Sequence, residues 1–179
     1  MASLMDLVTT IKIIINSVAS KTVGLVAGSG PLNNTFKVTM ADGSTTGLAD
    51  LIYTVSTTIA SGANTTIDLL GALETIFGDE LNFAKIKAIF IRNNTAVTGA
   101  VLIVGGAASN AFDGPWADST DKSNVAPTGA ATDAIWGFVQ VNPGTGWNVD
   151  ATRQNLKLEH DASDSNDISY DIVVIGTST

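Results

Sequence analysis

A chain of 179 residues is long enough for one well-buried domain and short for two. Its net charge of −8 and isoelectric point near 4.3 argue against nucleic acid or an anionic membrane surface as a partner, because both are held through Lys and Arg. The absence of cysteine excludes disulfides and thiolate chemistry.

The N-terminal MASLMDLVTTIKIIINSVA lacks a basic n-region, and Lys12 and Asn16 interrupt its apolar run. No later stretch reaches the roughly 18 apolar residues of a membrane helix, so a soluble chain made in the cytoplasm is expected. Leu4, Leu7, Val8, Ile11, Ile15 and Val18 could line a helical face. The β-branched content and the alternation of Ile11, Ile13 and Ile15 favour a strand, and its apolar residues suit an arm that pairs with a neighbouring subunit. Residues 1–23 are therefore expected to be an arm, and residues 24–179 the body.

Gly24 to Asn34 (GLVAGSGPLNN) has the composition of a loop. Its glycines are not followed by a helical pattern, so they do not make a phosphate-binding turn. Phe36, Val38 and Met40 alternate with Lys37 and Thr39 as a strand, and Asp42–Gly43 is a turn of the kind hairpins use. Leu51 to Ile59 and Thr65 to Leu70 alternate as further strands. Leu73, Ile76 and Phe77 at helical spacing, with Gly78 after them, predict one helical turn over residues 71–77.

The run FAKIKAIFIRNNTAVTGAVLIVGG, from Phe83 to Gly106, is the stretch around which the rest of the chain is organised. Two β-branched segments flank Arg92–Asn93–Asn94–Thr95, and paired asparagines tolerate the positive φ of tight turns, which predicts a hairpin. Ala84, Ile86, Ala88 and Phe90 share one parity, and the second run is apolar on both, so both its faces must be covered. Residues 107–132 lack periodicity and read as a long loop, in which Phe112 and Trp116 would anchor against the body or a partner. Ile135–Val141, Leu156–His160 and Tyr170–Ile175 resume the strands, and Trp136 reads as core.

Eight or nine short strands with almost no helical period predict an all-β antiparallel sandwich, for which a jelly roll is the best fit. At 45% hydrophobic and 15% charged, its surface must be largely Thr, Ser, Asn and Gly, with part of the apolar excess covered by other subunits.

No catalytic, cofactor or metal site is expected. His160, the one histidine, shares parity with Leu156 and Leu158, as a packed residue would, and no Ser stands in a nucleophile-elbow context. Asp113, Asp118 and Asp121, and again Asp161, Asp164 and Asp167, are clustered carboxylates. Neither cluster has the spacing, central glycine or terminal glutamate of a calcium loop, so solvated turns explain them better. Trp116 and Trp147, both expected in loops, are the residues that a sugar-binding module would use.

The segments FAKIKAIFIRNN, VLIVGGAASNAF and SYDIVVIGTS, with the upstream VTMADGSTTGLADLIYTV and the Asp68-Leu-Leu-Gly-Ala-Leu73 stretch, resemble a family of small structural proteins of tailed bacteriophages. The resemblance runs from about residue 36 to the end. It departs after Asn110, where the family tends to carry a Pro–Gly–Gly turn and this chain has Pro127–Thr128–Gly129 and Asn142–Pro143–Gly144. It implies a virion component without an active site or cofactor, and a capsid decoration (cement) protein on the capsid exterior in particular. Its partners would be the major capsid protein and copies of itself, as a homotrimer. Leu7, Ile11, Ile13, Ile15, Phe112, Trp116 and Trp147 are the candidate interface residues. A tail or baseplate accessory protein is the alternative within that class, and a carbohydrate-binding adhesion module the alternative outside it.

Overall fold

The computed structural model describes residues 7–23, 26–75, 77–97, 100–127, 137–162 and 165–178, with the backbone alone for 15–23, 26–30, 32 and 72. Leu4, Ile76, Gly129, Ile135, Trp136 and Asp164 lie outside the described residues or side chains, as does the side chain of Ile15. The described chain is all-β. In chain order its strands are β1 (Thr9–Val23), β2 (Val26–Met40), β3 (Leu51–Ile59), β4 (Asn64–Asp68), β5 (Leu70–Glu74), β6 (Glu80–Asn82) and β7 (Lys85–Asn93). They continue with β8 (Leu102–Gly105), β9 (Lys122–Val125), β10 (Phe138–Val141), β11 (Trp147–Asn148), β12 (Asn155–His160) and β13 (Ile168–Thr177).

Eight of these strands form two antiparallel sheets, in the orders β10-β7-β13-β3 and β4-β12-β8-β9, with the short β11 also on β7. Within the eight, the first strand pairs with the last, the second with the seventh, the third with the sixth and the fourth with the fifth. The facing sides of the sheets bury Ile89, Ile91, Ile172 and Val174 against Leu102, Val104, Leu156 and Leu158, all without solvent contact. The alternations in β3, β12 and β13 thus mark their inner faces as expected. His160 continues that of β12 and is buried. Its Nδ1 accepts from the Ala162 amide at 3.0 Å, so Nε2 carries the proton toward the Asn166 carbonyl at 2.8 Å.

Several local expectations are corrected. Arg92–Thr95 does not close a hairpin: β7 and β8 belong to different sheets, and the segment crosses between them. Asn93 is buried in that crossing, where its Nδ2 donates to the Ala100 carbonyl at 2.7 Å and its Oδ1 accepts from the Thr95 amide at 3.0 Å. The shared parity of Ile86, Ala88 and Phe90 is broken by a β-bulge at Lys87, where β13 pairs Ile175 with Ala88 but Gly176 with Ile86. Ile86 therefore joins Ile89 and Ile91 in the core between the sheets, while Ala88 and Phe90 face outward. The bulge presses the Lys85 carbonyl onto Gly176, where an added Cβ would lie 2.2 Å from it.

The predicted helical turn at 71–77 is instead β5 paired with β6, and Gly78 holds a positive φ of 85° in the turn between them. Leu73 is buried from this hairpin, so an isolated apolar spacing of three does not distinguish helix from bulged strand. The long loop contains β9, a four-residue edge strand whose Lys122 and Asn124 are exposed and too polar to show a period. Trp147 lies in the two-residue β11 rather than in a loop.

The largest correction concerns the N-terminal third. The expected loop at 24–34 is extended from Val26 onward: β1 and β2 pair over their whole length, from Thr9 opposite Met40 to Val23 opposite Val26. The strand at Phe36–Met40 is therefore the base of a hairpin that includes the arm. Two paired strands of 15 residues span on the order of 50 Å. Asp42–Gly43 does not turn this hairpin but leads from it into the sandwich, and the Asp42 carboxylate accepts from the Leu7 amide at 3.1 Å.

Candidate functional site

Antiparallel partners point to the same side of a sheet, so Thr9 and Met40, Ile11 and Val38, and Ile13 and Phe36 share one face of the hairpin. That face starts inside the molecule. Met40 and Ile11 are buried with Ala49, Ala88 and Ile175 in a second core, against the outer side of the sheet that holds β7 and β13. This packing covers Ala88 on the outer face of β7 and Ile175 on that of β13. Two residues farther along, the same face is in solvent: Ile13 is 42% and Phe36 55% exposed. Val8 and Ile14 are exposed too.

Between the exposed part of the hairpin and the sheet lies a groove of about 500 Å³, walled by Ile11, Ile13, Phe90, Val139, Val173 and Ile175. Thr9, Thr10 and Lys12 complete its lining, and Phe90, Val139 and Val173 are only half buried by their own chain. Among the described strands, β1 and β2 pair only with each other, which leaves the outer backbone edge of each open. Fully covering a large apolar side chain yields roughly 1.5–3 kcal/mol. Ile13, Ile14 and Phe36 together therefore hold a substantial driving force for association.

A second concavity, of about 460 Å³, has a different chemistry. One wall is the 113–117 turn, closed by the Trp116 amide on the Asp113 carbonyl at 2.8 Å. The other is the 145–148 segment with Trp147. The indole of Trp116 stacks on Phe138 at 5.5 Å between ring centroids and donates through Nε1 to Ser123 Oγ at 3.0 Å. Gly114 packs on the base of Trp147, with no room for a Cβ, which would lie 2.4 Å from that of Trp147. The second wall is braced from below. Lys87, buried at the bulge, donates through Nζ to the Gly144 carbonyl, and its own carbonyl accepts from the Asn142 amide at 2.8 Å. Burial, and then the neighbouring Lys85 charge, lower the pKa of Lys87.

Arg153 reaches the rim with its Nε 3.8 Å from Asp113 Oδ1. It follows a turn that Asp150 holds by accepting from Thr152 N and Oγ1 at 2.8 and 2.6 Å, and these bonds keep the Asp150 carboxyl below its usual range. Asp118 and Asp121 act in the same way: Asp118 accepts from Thr120 N and Oγ1, and Asp121 from the Ala117 and Asp118 amides. These carboxylates are engaged in turns. Among the described residues no group of three His, Asp or Glu is arranged to hold a metal ion.

The seven candidate interface residues thus separate. Ile13 is exposed on the hairpin and Leu7 is half buried at its base, whereas Ile11 is covered by its own sandwich. Phe112 is fully buried in the main core and anchors the long loop to the body. Trp116 and Trp147, 31 positions apart in sequence, meet at the polar cleft. Sequence reasoning missed Phe36 as a partner of Ile13, because the intervening glycines and Pro31 hid the hairpin that makes them neighbours. No protein-family model, curated protein or solved structure matches the chain.

Proposed function

We propose that this chain is a structural component of a tailed-bacteriophage particle: a capsid decoration protein, trimeric, that bridges major capsid subunits on the outside of the head. The observation that carries this reading is the β1–β2 hairpin, whose apolar face runs from the second core into solvent at Ile13 and Phe36. A chain that functions alone gains nothing from that exposure. A chain that is covered by copies of itself and by shell subunits gains both apolar burial and two open strand edges for pairing. Contacts made only in the assembled shell stabilise that shell by mass action. The net charge of −8 suits a position away from packaged DNA.

The segments that resemble phage structural proteins fall on the sandwich strands β7, β8 and β13, which supports the same reading. We also read the sandwich as a jelly roll, since its nested pairing of first strand with last is that of one long hairpin folded across two sheets. The role needs no turnover. It would be exercised on the virion after synthesis in the host cytoplasm.

The test is electron cryo-microscopy of heads of the phage that encodes the chain, with and without the purified protein. The reading predicts added density over the junctions of capsid subunits, with the hairpin inserted between them, and heads that resist heating better. Heads that bind no copy of the chain would overturn it.

A further inference from the structure

We infer that the partner of the β1–β2 hairpin is the β5–β6 turn of the next copy. That turn sets Phe77 into the apolar groove beside Ile13 and Val139, and its carboxylates against Lys12 and Lys37. This rests on the reading of the hairpin as a contact between subunits, and it names the occupant of that contact.

Charge points to it first. From Thr9 to Met40 the hairpin holds Lys12, Lys21 and Lys37 and no Asp or Glu, a net charge of +3. The remaining six basic residues stand against all 17 acidic ones, so the rest of the chain is −11. The 74–80 segment, ETIFGDE, is the converse of the hairpin, with three carboxylates, no base and a net −3. One chain thus carries both halves of a complementary contact.

The register sharpens this. Lys12 lies directly opposite Lys37 on the hairpin, and Glu74 directly opposite Glu80 on β5 and β6. All four are exposed, and among the described residues none of them joins a salt bridge. Like charges directly opposite one another destabilise a strand pair. Each ribbon therefore holds an unfavourable pair that the other ribbon's pair would relieve. Lys12 also lines the groove, which places the positive charge at its rim.

Shape agrees with charge. Phe77 is 70% exposed and is not among the residues of its own chain that line the groove. The turn that presents it is held by Thr75, whose amide donates to the Asp79 carbonyl at 2.8 Å. Thr75 Oγ1 accepts from the Phe77 and Asp79 amides, each at 3.1 Å. A ring presented on a fixed turn loses little freedom on docking, and buried aromatic anchors dominate many interfaces. Knob and groove are different surfaces, so the contact is heterologous and closes into a ring under a three-fold rotation.

The experiment is sedimentation equilibrium of the full chain and of variants at these exposed positions, with folding checked by circular dichroism. Phe77→Ser should weaken association at least about tenfold, as should Lys12→Glu/Lys37→Glu and Glu74→Lys/Glu80→Lys. The chain with all four charge changes should return to within about threefold of the natural one. Because the chain has no cysteine, Phe77→Cys/Val139→Cys should oxidise to covalent species of up to three copies. Phe77→Cys/Thr66→Cys, with its second cysteine on the other sheet, should not pass the dimer. The inference is overturned if Phe77→Ser or the charge reversals leave association unchanged, or if the four-change chain does not recover it. It is overturned equally if the Val139 variant crosslinks no further than the Thr66 one. Loss of the trimer in Ile13→Ser/Phe36→Ser but not in Phe77→Ser would leave the hairpin contact standing with another occupant. A natural chain that never associates would overturn both.

Discussion

Asn93 Nδ2, at the end of β7 in one sheet, donates to the carbonyl of Val125, at the end of β9 in the other, at 3.2 Å. The same nitrogen serves the Ala100 carbonyl, and the Asn93 carbonyl oxygen takes the Thr95 amide. One buried amide thus fastens the two sheets where the chain crosses between them. Asn93→Ala would leave buried backbone groups without partners, at about 1–3 kcal/mol for each that water cannot reach. We expect a loss of about 2–4 kcal/mol in chemical denaturation. A loss below about 0.5 kcal/mol, within the usual range for surface changes, would show that the crossing does not depend on this residue.

Asp171 on β13 links the stability of the sandwich to pH on the acid side. Burial raises its pKa, but hydrogen bonds from Ser56, Asn94 and Arg92, and the Arg92 charge, outweigh this and bring it below its ordinary 3.8. Ser56 Oγ donates at 2.6 Å, and Arg92 donates through both Nε, at 3.1 Å, and Nη2. A carboxylate whose pKa is depressed by folding contributes stability that is present above its unfolded pKa and lost as the pH falls through the folded value. Asp171→Asn should therefore cost about 1 kcal/mol at neutral pH. That cost should hold down to about pH 5 and close below about pH 4, as followed by denaturation midpoints. A cost that persists unchanged into the acid range would show that the ionised form is not what matters.

At the alkaline end the sign reverses. Tyr170, buried in the main core, has its pKa raised from 10.0 to about 12, first by burial and then by the charge that Tyr53 would carry. Folding favours its protonated form, so its contribution is complete below pH 10.0 and disappears as the pH rises through about 12. In Tyr53→Phe, which leaves Tyr170 as the single tyrosine, ultraviolet titration of the folded chain should show no phenolate at pH 10.0. An inflection at 10.0 would mean that Tyr170 is open to water.

The strands with a solvated face were legible in sequence: β3 and β12, and the Ser169–Asp171 end of β13, alternate because one side meets water, and their inner residues form the core. The candidate sites were legible only as residue types. Ile13 and the two tryptophans stood out, but their neighbours come from pairing across long separations. Three physical ambiguities explain the rest. An Asn–Asn pair suits an exposed turn and also a buried amide that satisfies backbone carbonyls, and Asn93 took the second course. A bulge shifts parity without any mark in the hydrophobic pattern, which is why Ile86 and Ala88 face opposite ways. Glycine and Pro31 weaken the sequence signal of a strand, yet in a two-stranded ribbon every strand is an edge and tolerates them.

The central claim is that the exposed face of the β1–β2 hairpin is a contact between subunits. Sedimentation equilibrium of the full chain beside an Ile13→Ser/Phe36→Ser variant, followed by cosedimentation of each with undecorated heads, tests it most directly. The account predicts a trimer that binds heads for the natural chain, and for the variant a folded monomer with head binding at least tenfold weaker, since roughly 1.4 kcal/mol is a factor of ten. A natural chain that stays monomeric at every concentration, and binds heads no better than the variant, would contradict it.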